Sequence, residues 1–201
     1  MKLDPFYLIV DNANWVERLV PLGIKLIQLR MKNENLETII QHIRRAKNIC
    51  DKWGAQLIIN DYWTIAIDEK CHFIHLGQED LSNADLAAIR KNGIKFGLST
   101  HDNRELDIAL SVHPDYIALG PIYPTILKEM KWKPQGLEKI KQWKQRIGTL
   151  PLVGIGGLTP ERAVGVLKAG ANSAAVVTDI ILHKKPEQRV KQWIKVTQAW
   201  R

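Results

Sequence analysis

The chain has 201 residues, of which 45% are hydrophobic and 25% are charged, a composition typical of a globular protein that can bury a sizeable core. No apolar run approaches the roughly 18 residues that a membrane-spanning helix needs. The N-terminal apolar run is too short for a signal peptide, so we expect a cytoplasmic protein. Cys50 and Cys71 lie far apart and outside any CxxC or Cys/His cluster, which favours buried thiols over a disulfide framework or a zinc site.

The formal net charge is +8 and the pI is about 9.5. The basic residues are scattered through amphipathic segments such as 138–146, where charge usually marks the solvated face of a helix. Known nucleic-acid-binding motifs do not stand out, and we expect no nucleic-acid partner and no membrane association. A cleft for phosphorylated small molecules accounts for a local positive field equally well.

Short β-forming runs alternate with segments of helical period along the whole chain, which is the pattern of an α/β fold. The apolar runs predict strands over residues 6–11, 24–30, 56–61, 73–77, 95–100, 116–120, 151–156 and 173–178. Helical spacing predicts helices over 15–20, 36–53, 63–68, 81–91, 105–112, from 137 onwards, 160–168 and 187–200. The connection after the sixth strand is unusually long and carries three prolines, and long ordered connections tend to be functional.

Eight βα units without a linker or a break in composition predict one domain over residues 1–201, a single (β/α)8 or TIM barrel. The alternative is an open, doubly wound sheet. The first strand is not followed by the GxGxxG sequence that a dinucleotide-binding sheet of this kind would need. The closed barrel is therefore the favoured prediction.

Working groups of a barrel lie where its strands end, and here those positions are polar. Gln28 and Arg30 share a strand face because they are two residues apart, and Lys32 would continue the row. A guanidinium beside an ammonium suits an oxyanion with several oxygens, such as a diphosphate. The alternative is that Arg30 and Lys32 simply begin a solvated loop.

Two carboxylates, Asp61 and Asp80, follow neighbouring predicted strands. If those strands are adjacent and parallel, both side chains reach one rim and share a Mg²⁺ ion, which favours a few carboxylates together with phosphate oxygens. The alternative is that each aspartate caps a helix N-terminus. Their coincidence opposite a basic row favours the metal site.

Gly156 and Gly157 follow the seventh predicted strand, where backbone can approach a phosphate and the next helix offers N–H donors. Thr178 would add a hydroxyl from the eighth strand, although a double glycine is also what a tight turn requires. His75 is expected to be a hydrogen-bonded interior side chain and His101 to lie at the rim. No nucleophile, base and orienting acid assemble, so covalent catalysis is not expected.

Taken in order, these motifs resemble the thiamine-phosphate synthase family. The matching segments run through nearly the whole chain: QLRMK (28–32), IND (59–61), HLGQED (75–80), STH (99–101), GPIYPT (120–125), Lys128 and IGG (155–157). The resemblance implies condensation of 4-amino-2-methyl-5-hydroxymethylpyrimidine diphosphate with 4-methyl-5-(2-phosphoethyl)thiazole, giving thiamine phosphate and diphosphate. It also implies a Mg²⁺-dependent, dissociative mechanism and is consistent with a homodimer.

The resemblance further implies roles for individual residues. Asp61 and Asp80 would hold Mg²⁺, and Gln28 and Asn60 would help to hold the pyrimidine. The catalytic groups, which neutralise or donate to the leaving diphosphate, would be Arg30, Lys32, Ser99 and Lys128. The thiazole phosphate would be held by Thr125, Gly157, Val177 and Thr178.

Two positions depart from the family pattern. Leu127 stands where the family usually has a threonine, and one lost hydrogen bond would weaken phosphate binding by about 1 to 3 kcal/mol. Asp179 places a negative charge beside the expected phosphate. Two alternatives stay open: a TenI-like thiazole tautomerase, which needs no diphosphate or metal, and a noncatalytic sensor of phosphorylated ligands. Retention of the basic row and of both aspartates argues against the tautomerase.

Overall fold

The computed structural model describes residues 2–126 and 131–201. Eight parallel strands close into a barrel in chain order, with β8 beside β1, which confirms the (β/α)8 prediction. The strands are β1 (Phe6–Val10), β2 (Leu26–Leu29), β3 (Gln56–Asn60), β4 (Phe73–Leu76), β5 (Lys95–Thr100), β6 (Tyr116–Leu119), β7 (Leu152–Ile155) and β8 (Ser173–Val176).

Helices surround this barrel. They are α1 (Ala13–Leu19), α2 (Leu36–Trp53), α3 (Trp63–Asp68), α4 (Gln78–Leu81), α5 (Leu86–Lys91), α6 (Asn103–Ser111), α7 (Gly136–Ile147), α8 (Pro160–Lys168), α9 (Thr178–Ile181) and α10 (Pro186–Thr197). Short 3₁₀ turns follow α1 at Val20–Leu22 and α10 at Gln198–Trp200. None of the helices described is long and apolar enough to cross a membrane.

Side-chain caps explain where several helices begin. Asn12, Asn35, Asp102 and Thr159 each accept a hydrogen bond from the backbone N–H three residues ahead, at the start of α1, α2, α6 and α8. Asn12 starts α1 two residues before the predicted boundary. The single helix predicted over 81–91 is wrong: it is two helices, because Asp85 caps a fresh start by accepting from the Ala88 N–H.

The core has two parts, separated by the barrel wall. Strand residues that point outward pack against the helices, whereas those that point inward fill the barrel. The inner cluster consists of Leu3, Tyr7, Ile9, Leu26, Ile58, Phe73, Tyr116, Ala118, Val153 and Ala175. Cys50 and Cys71 are buried and unpaired, as predicted. Burial raises the pKa of the Cys50 thiol to about 12 and that of Cys71 to about 11.

Candidate active site at the C-terminal rim

The barrel interior changes from apolar to polar near the C-terminal ends of four consecutive strands. Alternate residues of a strand face the barrel interior. On β2, β3, β4 and β5 the inward-facing residue nearest the C-terminal end is polar, and these residues are Gln28, Asn60, His75 and Ser99. The equivalent positions along β1, β6, β7 and β8 are Ile9, Ala118, Ile155 and Val177. The rim therefore has a polar half and an apolar half. Gln28, Asn60 and Ser99, which are predicted to bind the pyrimidine diphosphate, lie on the polar half.

Asp61 directly follows β3 and has a strained backbone conformation. Its φ of 67° lies in the left-handed region, which is costly for a residue other than glycine and is common at functional sites. Its N–H donates to the His75 carbonyl at 2.9 Å, and its carboxylate forms an ion pair with Lys32. The residue at the N-cap of α3 is Tyr62, so Asp61 does not cap that helix.

Asp80 lies in α4, where its carboxylate accepts a hydrogen bond from the Gly77 N–H at 3.0 Å. It therefore does cap a helix, from the third helical position and not from the N-cap. Burial, assisted by the neighbouring Asp61 carboxylate, raises the pKa of Asp80. The two carboxyl groups are thus close enough to interact across the ends of β3 and β4.

These carboxylates have the chemistry of an incomplete cation site. Within residues 2–126 and 131–201, no three His, Cys, Asp or Glu side chains gather into a metal site. Two interacting carboxylates beside an ammonium group nevertheless fit Mg²⁺, which binds through one or two carboxylates, water and substrate phosphates and seldom through a complete protein cage. A cation would also relieve the repulsion from Asp61, which adds to the effect of burial on the pKa of Asp80.

Arg30 and Lys32, two residues of the predicted basic row, lie among the described residues. Arg30 is half-buried, and its positive charge contributes, after burial, to the low pKa of His75. Lys32 is exposed and reaches Asp61, so the basic row meets the carboxylates directly. Lys128 and Leu127 lie outside the described residues.

His75 is the interior histidine that the sequence predicted. Its ring bonds to the Tyr116 hydroxyl at 2.6 Å and to the Ser99 hydroxyl at 2.7 Å. Burial lowers the pKa of His75 to about 4, so the imidazole is neutral at pH 7. Tyr7 and Tyr116, which the sequence did not single out, complete the buried polar contacts of the barrel interior.

The glycines after β7 allow the loop after β6 to approach closely. A Cβ on Gly156 would lie 2.7 Å from the Pro121 Cα, and one on Gly157 would lie 2.2 Å from the Pro124 carbonyl oxygen. Gly157 also has a φ of 63°, which favours glycine. The backbone of the loop after β6 thus lies directly against these two glycines, which allow the loops after β6 and β7 to pack together at the rim.

A cavity of about 360 Å³ opens beside these loops. It brings together Gly157 and Thr178, two of the predicted phosphate-binding residues; Thr125 and Val177, the other two, are half-buried nearby in the chain and do not line it. The remaining lining residues are Ile126, Leu158, Thr159, Arg162, Asp179, Leu182 and His183. Sequence reasoning missed Arg162, which donates to the Gly157 carbonyl at 2.6 Å and places its guanidinium 4.5 Å from the centre of the Tyr123 ring.

The unexpected charge of Asp179 is neutralised within the protein. Arg189 donates two hydrogen bonds to its carboxylate, each 2.8 Å long, and the indole of Trp193 donates a third at 2.8 Å. Because both members of the ion pair are largely buried, Asp179 serves to fix α9 against α10. Its charge therefore counts much less against a phosphate in the cavity than the sequence suggested.

His101 lies at the rim, as predicted. Glu105 holds its ring through a 2.6 Å contact with Nδ1 and also accepts from its backbone N–H at 2.8 Å. The ring of His101 stacks on Trp132, with ring centres 5.4 Å apart. The far end of the loop after β6 is thereby tied to the end of β5.

Comparison with known proteins supplies the family. The family model described as thiamine monophosphate synthase matches residues 6–180. The thiamine-phosphate synthase of Rhizobium etli is 63% identical over 201 residues, covering all of this chain and 98% of that protein. The thiamine-phosphate synthase of Neisseria meningitidis serogroup A is 45% identical over 186 residues, covering 92% of this chain and 91% of that protein.

A solved structure supports the same fold. The thiamine phosphate pyrophosphorylase from Pyrococcus furiosus superimposes with a TM-score of 0.87, covering 98% of this chain and 96% of that one. Its sequence identity is 21%, so this likeness bears on the fold alone.

Proposed function

Because the chain belongs to the thiamine monophosphate synthase family, we propose that it condenses the pyrimidine diphosphate and the thiazole phosphate named above to thiamine phosphate, releasing diphosphate. The observation that carries the proposal is the meeting of a basic row and two interacting carboxylates, Lys32 with Asp61 and Asp61 with Asp80, at one rim of the barrel. A site for a diphosphate with a divalent cation needs both.

The polar half of the rim would bind the pyrimidine diphosphate. Gln28 and Asn60 face the barrel interior beside the carboxylates, where their amides can hold the pyrimidine. Arg30, Lys32 and Lys128 would neutralise the charge that builds on the leaving diphosphate, and Ser99 would donate a hydrogen bond to it. No protein nucleophile is required, because the electron-rich aminopyrimidine stabilises a cation at its methylene carbon and the thiazole nitrogen then attacks that carbon.

Asp61 and Asp80 are the residues that would hold Mg²⁺. Bound there, the ion would supply Lewis-acid stabilisation of the diphosphate oxygens. The ammonium group of Lys32 forms an ion pair with the Asp61 carboxylate. We expect Lys32 to turn from Asp61 towards the diphosphate when the ion and the substrate bind.

The apolar half would bind the thiazole phosphate in the cavity between the loops after β6, β7 and β8. Gly157, Thr178, Val177 and Thr125 are the proposed ligands. Arg162 brings a positive charge to the same cavity, and Asp179 is already paired with Arg189. The electrostatics of the cavity therefore favour a phosphate. The proposal includes a cytoplasmic location, a homodimer and no nucleic-acid partner.

Product formation tests the proposal. Purified protein is incubated with both substrates, with Mg²⁺ or with EDTA, and thiamine phosphate is measured by chromatography. We expect thiamine phosphate to form in the presence of Mg²⁺ and not in the presence of EDTA. For Asp61→Asn and Asp80→Asn we expect kcat to fall by at least about 100-fold. Asp85→Asn is the matched control, because Asp85 is exposed and asparagine also caps a helix.

Each alternative has its own outcome. Binding of a thiazole phosphate without binding of Mg²⁺ or the pyrimidine diphosphate would indicate the tautomerase. Binding of thiamine phosphate without turnover would indicate the sensor. Full activity of both aspartate variants would remove the metal site from the proposal.

A further inference from the structure

An unbroken row of hydrogen bonds crosses the barrel interior from β2 to β5. Gln28 Nε2 donates to the Tyr7 hydroxyl at 2.7 Å, and the Tyr7 and Tyr116 hydroxyl oxygens are 3.0 Å apart. Tyr116 then meets His75 Nδ1 at 2.6 Å, and His75 Nε2 meets the Ser99 hydroxyl at 2.7 Å. All of these side chains are buried except that of Ser99, which is half-exposed at the rim.

The direction of one bond in this row sets the direction of the others. A tyrosine hydroxyl has a single proton, and a neutral imidazole has a donor on one nitrogen and an acceptor on the other. The Tyr7 hydroxyl accepts from the amide of Gln28, and its other partner among the described residues is Tyr116. A buried proton without an acceptor is costly, so Tyr7 donates to Tyr116, and by the same argument Tyr116 donates to His75 Nδ1. Because Nδ1 accepts, the imidazole carries its one proton on Nε2, which lies 2.7 Å from the Ser99 hydroxyl.

The direction of these hydrogen bonds determines whether the Ser99 hydroxyl acts as a donor or as an acceptor towards the rim. When its oxygen accepts from His75 Nε2–H, its own proton is left to point outward. If the hydrogen bonds ran in the opposite direction, the Ser99 hydroxyl would donate to His75 Nε2 and would present only lone pairs to the ligand. Diphosphate oxygens only accept hydrogen bonds, so the first arrangement attracts the leaving group and the second repels it.

We propose that Tyr7, Tyr116 and His75 are positioning residues, which hold His75 as its Nε2–H tautomer and thereby make Ser99 a hydrogen-bond donor to the diphosphate. The role of Ser99 rests on the proposed function, whereas the tautomer of His75 does not. Gly97 is part of the same arrangement: a Cβ there would lie 2.1 Å from the Tyr116 ring. The absence of a side chain at this position of β5 lets the Tyr116 ring lie across the strand.

The tautomer can be measured on the protein without substrates. Long-range ¹H–¹⁵N NMR at pH 7 distinguishes a protonated from an unprotonated ring nitrogen, and the His75 signals are assigned by their absence in His75→Gln. We expect a protonated Nε2 and an unprotonated Nδ1. A protonated Nδ1 would overturn the proposal, whether or not the protein makes thiamine phosphate.

Tyr116→Phe tests the consequence for catalysis. It removes the proton that Nδ1 accepts, so we expect the Nδ1–H tautomer of His75 to become populated. With Ser99 now free to donate inward, kcat/KM for the pyrimidine diphosphate should fall about 10- to 100-fold, the range for one hydrogen bond to a charged group. The loss should appear mainly in kcat, because charge accumulates on the diphosphate in the transition state.

Thr100→Val is the matched control, since it removes a hydroxyl from the next residue of the same strand. Thr100 points to the outer face of the barrel, where it donates to the Ala118 carbonyl and accepts from the Trp143 indole. We expect lower stability but an unchanged His75 tautomer and kcat. An equal fall of kcat in Thr100→Val and Tyr116→Phe would show that the effect is one of stability and would refute the proposal, as would an unchanged tautomer in Tyr116→Phe.

Discussion

Replacing His75 by glutamine should remove a large part of the acid sensitivity of this fold. The buried imidazole has a pKa of about 4, against an ordinary value of 6.5. Above pH 6.5 the ring is neutral in the folded and unfolded chains and the stability is complete. As the pH falls below 6.5, the unfolded chain takes up a proton that the folded chain refuses, so stability is lost until the pH reaches about 4.

The size of the effect follows from that difference. A fall of the pKa from 6.5 to about 4 corresponds to about 3.5 kcal/mol over the full range, at about 1.4 kcal/mol for each pH unit. Between pH 7 and pH 5 somewhat more than half of this free energy is lost. Wild type should therefore lose about 2 kcal/mol more than His75→Gln over this interval.

Urea denaturation at pH 7, 6 and 5 in the presence of EDTA measures the difference. The shift in Asp80 has the opposite sign, because its raised pKa makes the folded chain hold a proton more tightly. Asp80 is present in both proteins, so its contribution largely cancels in the comparison. Parallel curves of the two proteins, differing by less than about 0.5 kcal/mol in their pH dependence, would show that His75 is not held neutral by burial and would refute the reasoning.

Three further predictions concern the apolar half of the rim and the thiols. Asp179→Ala leaves the largely buried guanidinium of Arg189 unpaired, and we expect about 2 to 3 kcal/mol less stability by urea denaturation, with a smaller loss when Arg189→Ala is added. Gly157→Ala forces a left-handed backbone and a clash with the loop after β6, so KM for the thiazole phosphate should rise at least about 10-fold in initial-rate assays, while an unchanged KM would separate this loop contact from binding. Cys50 and Cys71 have thiol pKa values of about 12 and 11, so neither should react with a thiol reagent at pH 7.5 until the chain is unfolded, and rapid labelling of the native protein would contradict their burial.

The sequence was sufficient for the architecture because the pattern is repeated eight times. A β-branched run predicts each strand, and an amphipathic period predicts each long helix. An error in one boundary therefore does not change the predicted topology. The divided helix at 78–91 shows the limit of this reasoning. Apolar spacing continues across the break, and a single capping aspartate decides where the second helix starts.

The candidate site was predictable where it depends on strand ends and not where it depends on side chains from distant positions. Asp61, Asp80 and Lys32 follow β3, β4 and β2, and adjacent parallel strands bring their ends to one rim whatever the details of packing. The partner of Asp179 is Arg189, which belongs to a different helix. Sequence offers no spacing rule for such a pair, because the crossing of α9 and α10 is determined by packing.

The polar filling of the barrel has an energetic consequence that bears on function. Apolar residues fill the positions of β1, β6, β7 and β8 that correspond to Gln28 and His75, and replacing hydrogen-bonded pairs by apolar groups of similar shape is often neutral or stabilising. Fold stability therefore does not require Gln28 and His75 to be polar. Buried polar groups are costly unless each finds a partner, and this row satisfies its members while leaving one donor over at Ser99. The surplus donor lies where a diphosphate would accept it, which ties the interior of the barrel to the chemistry of its rim.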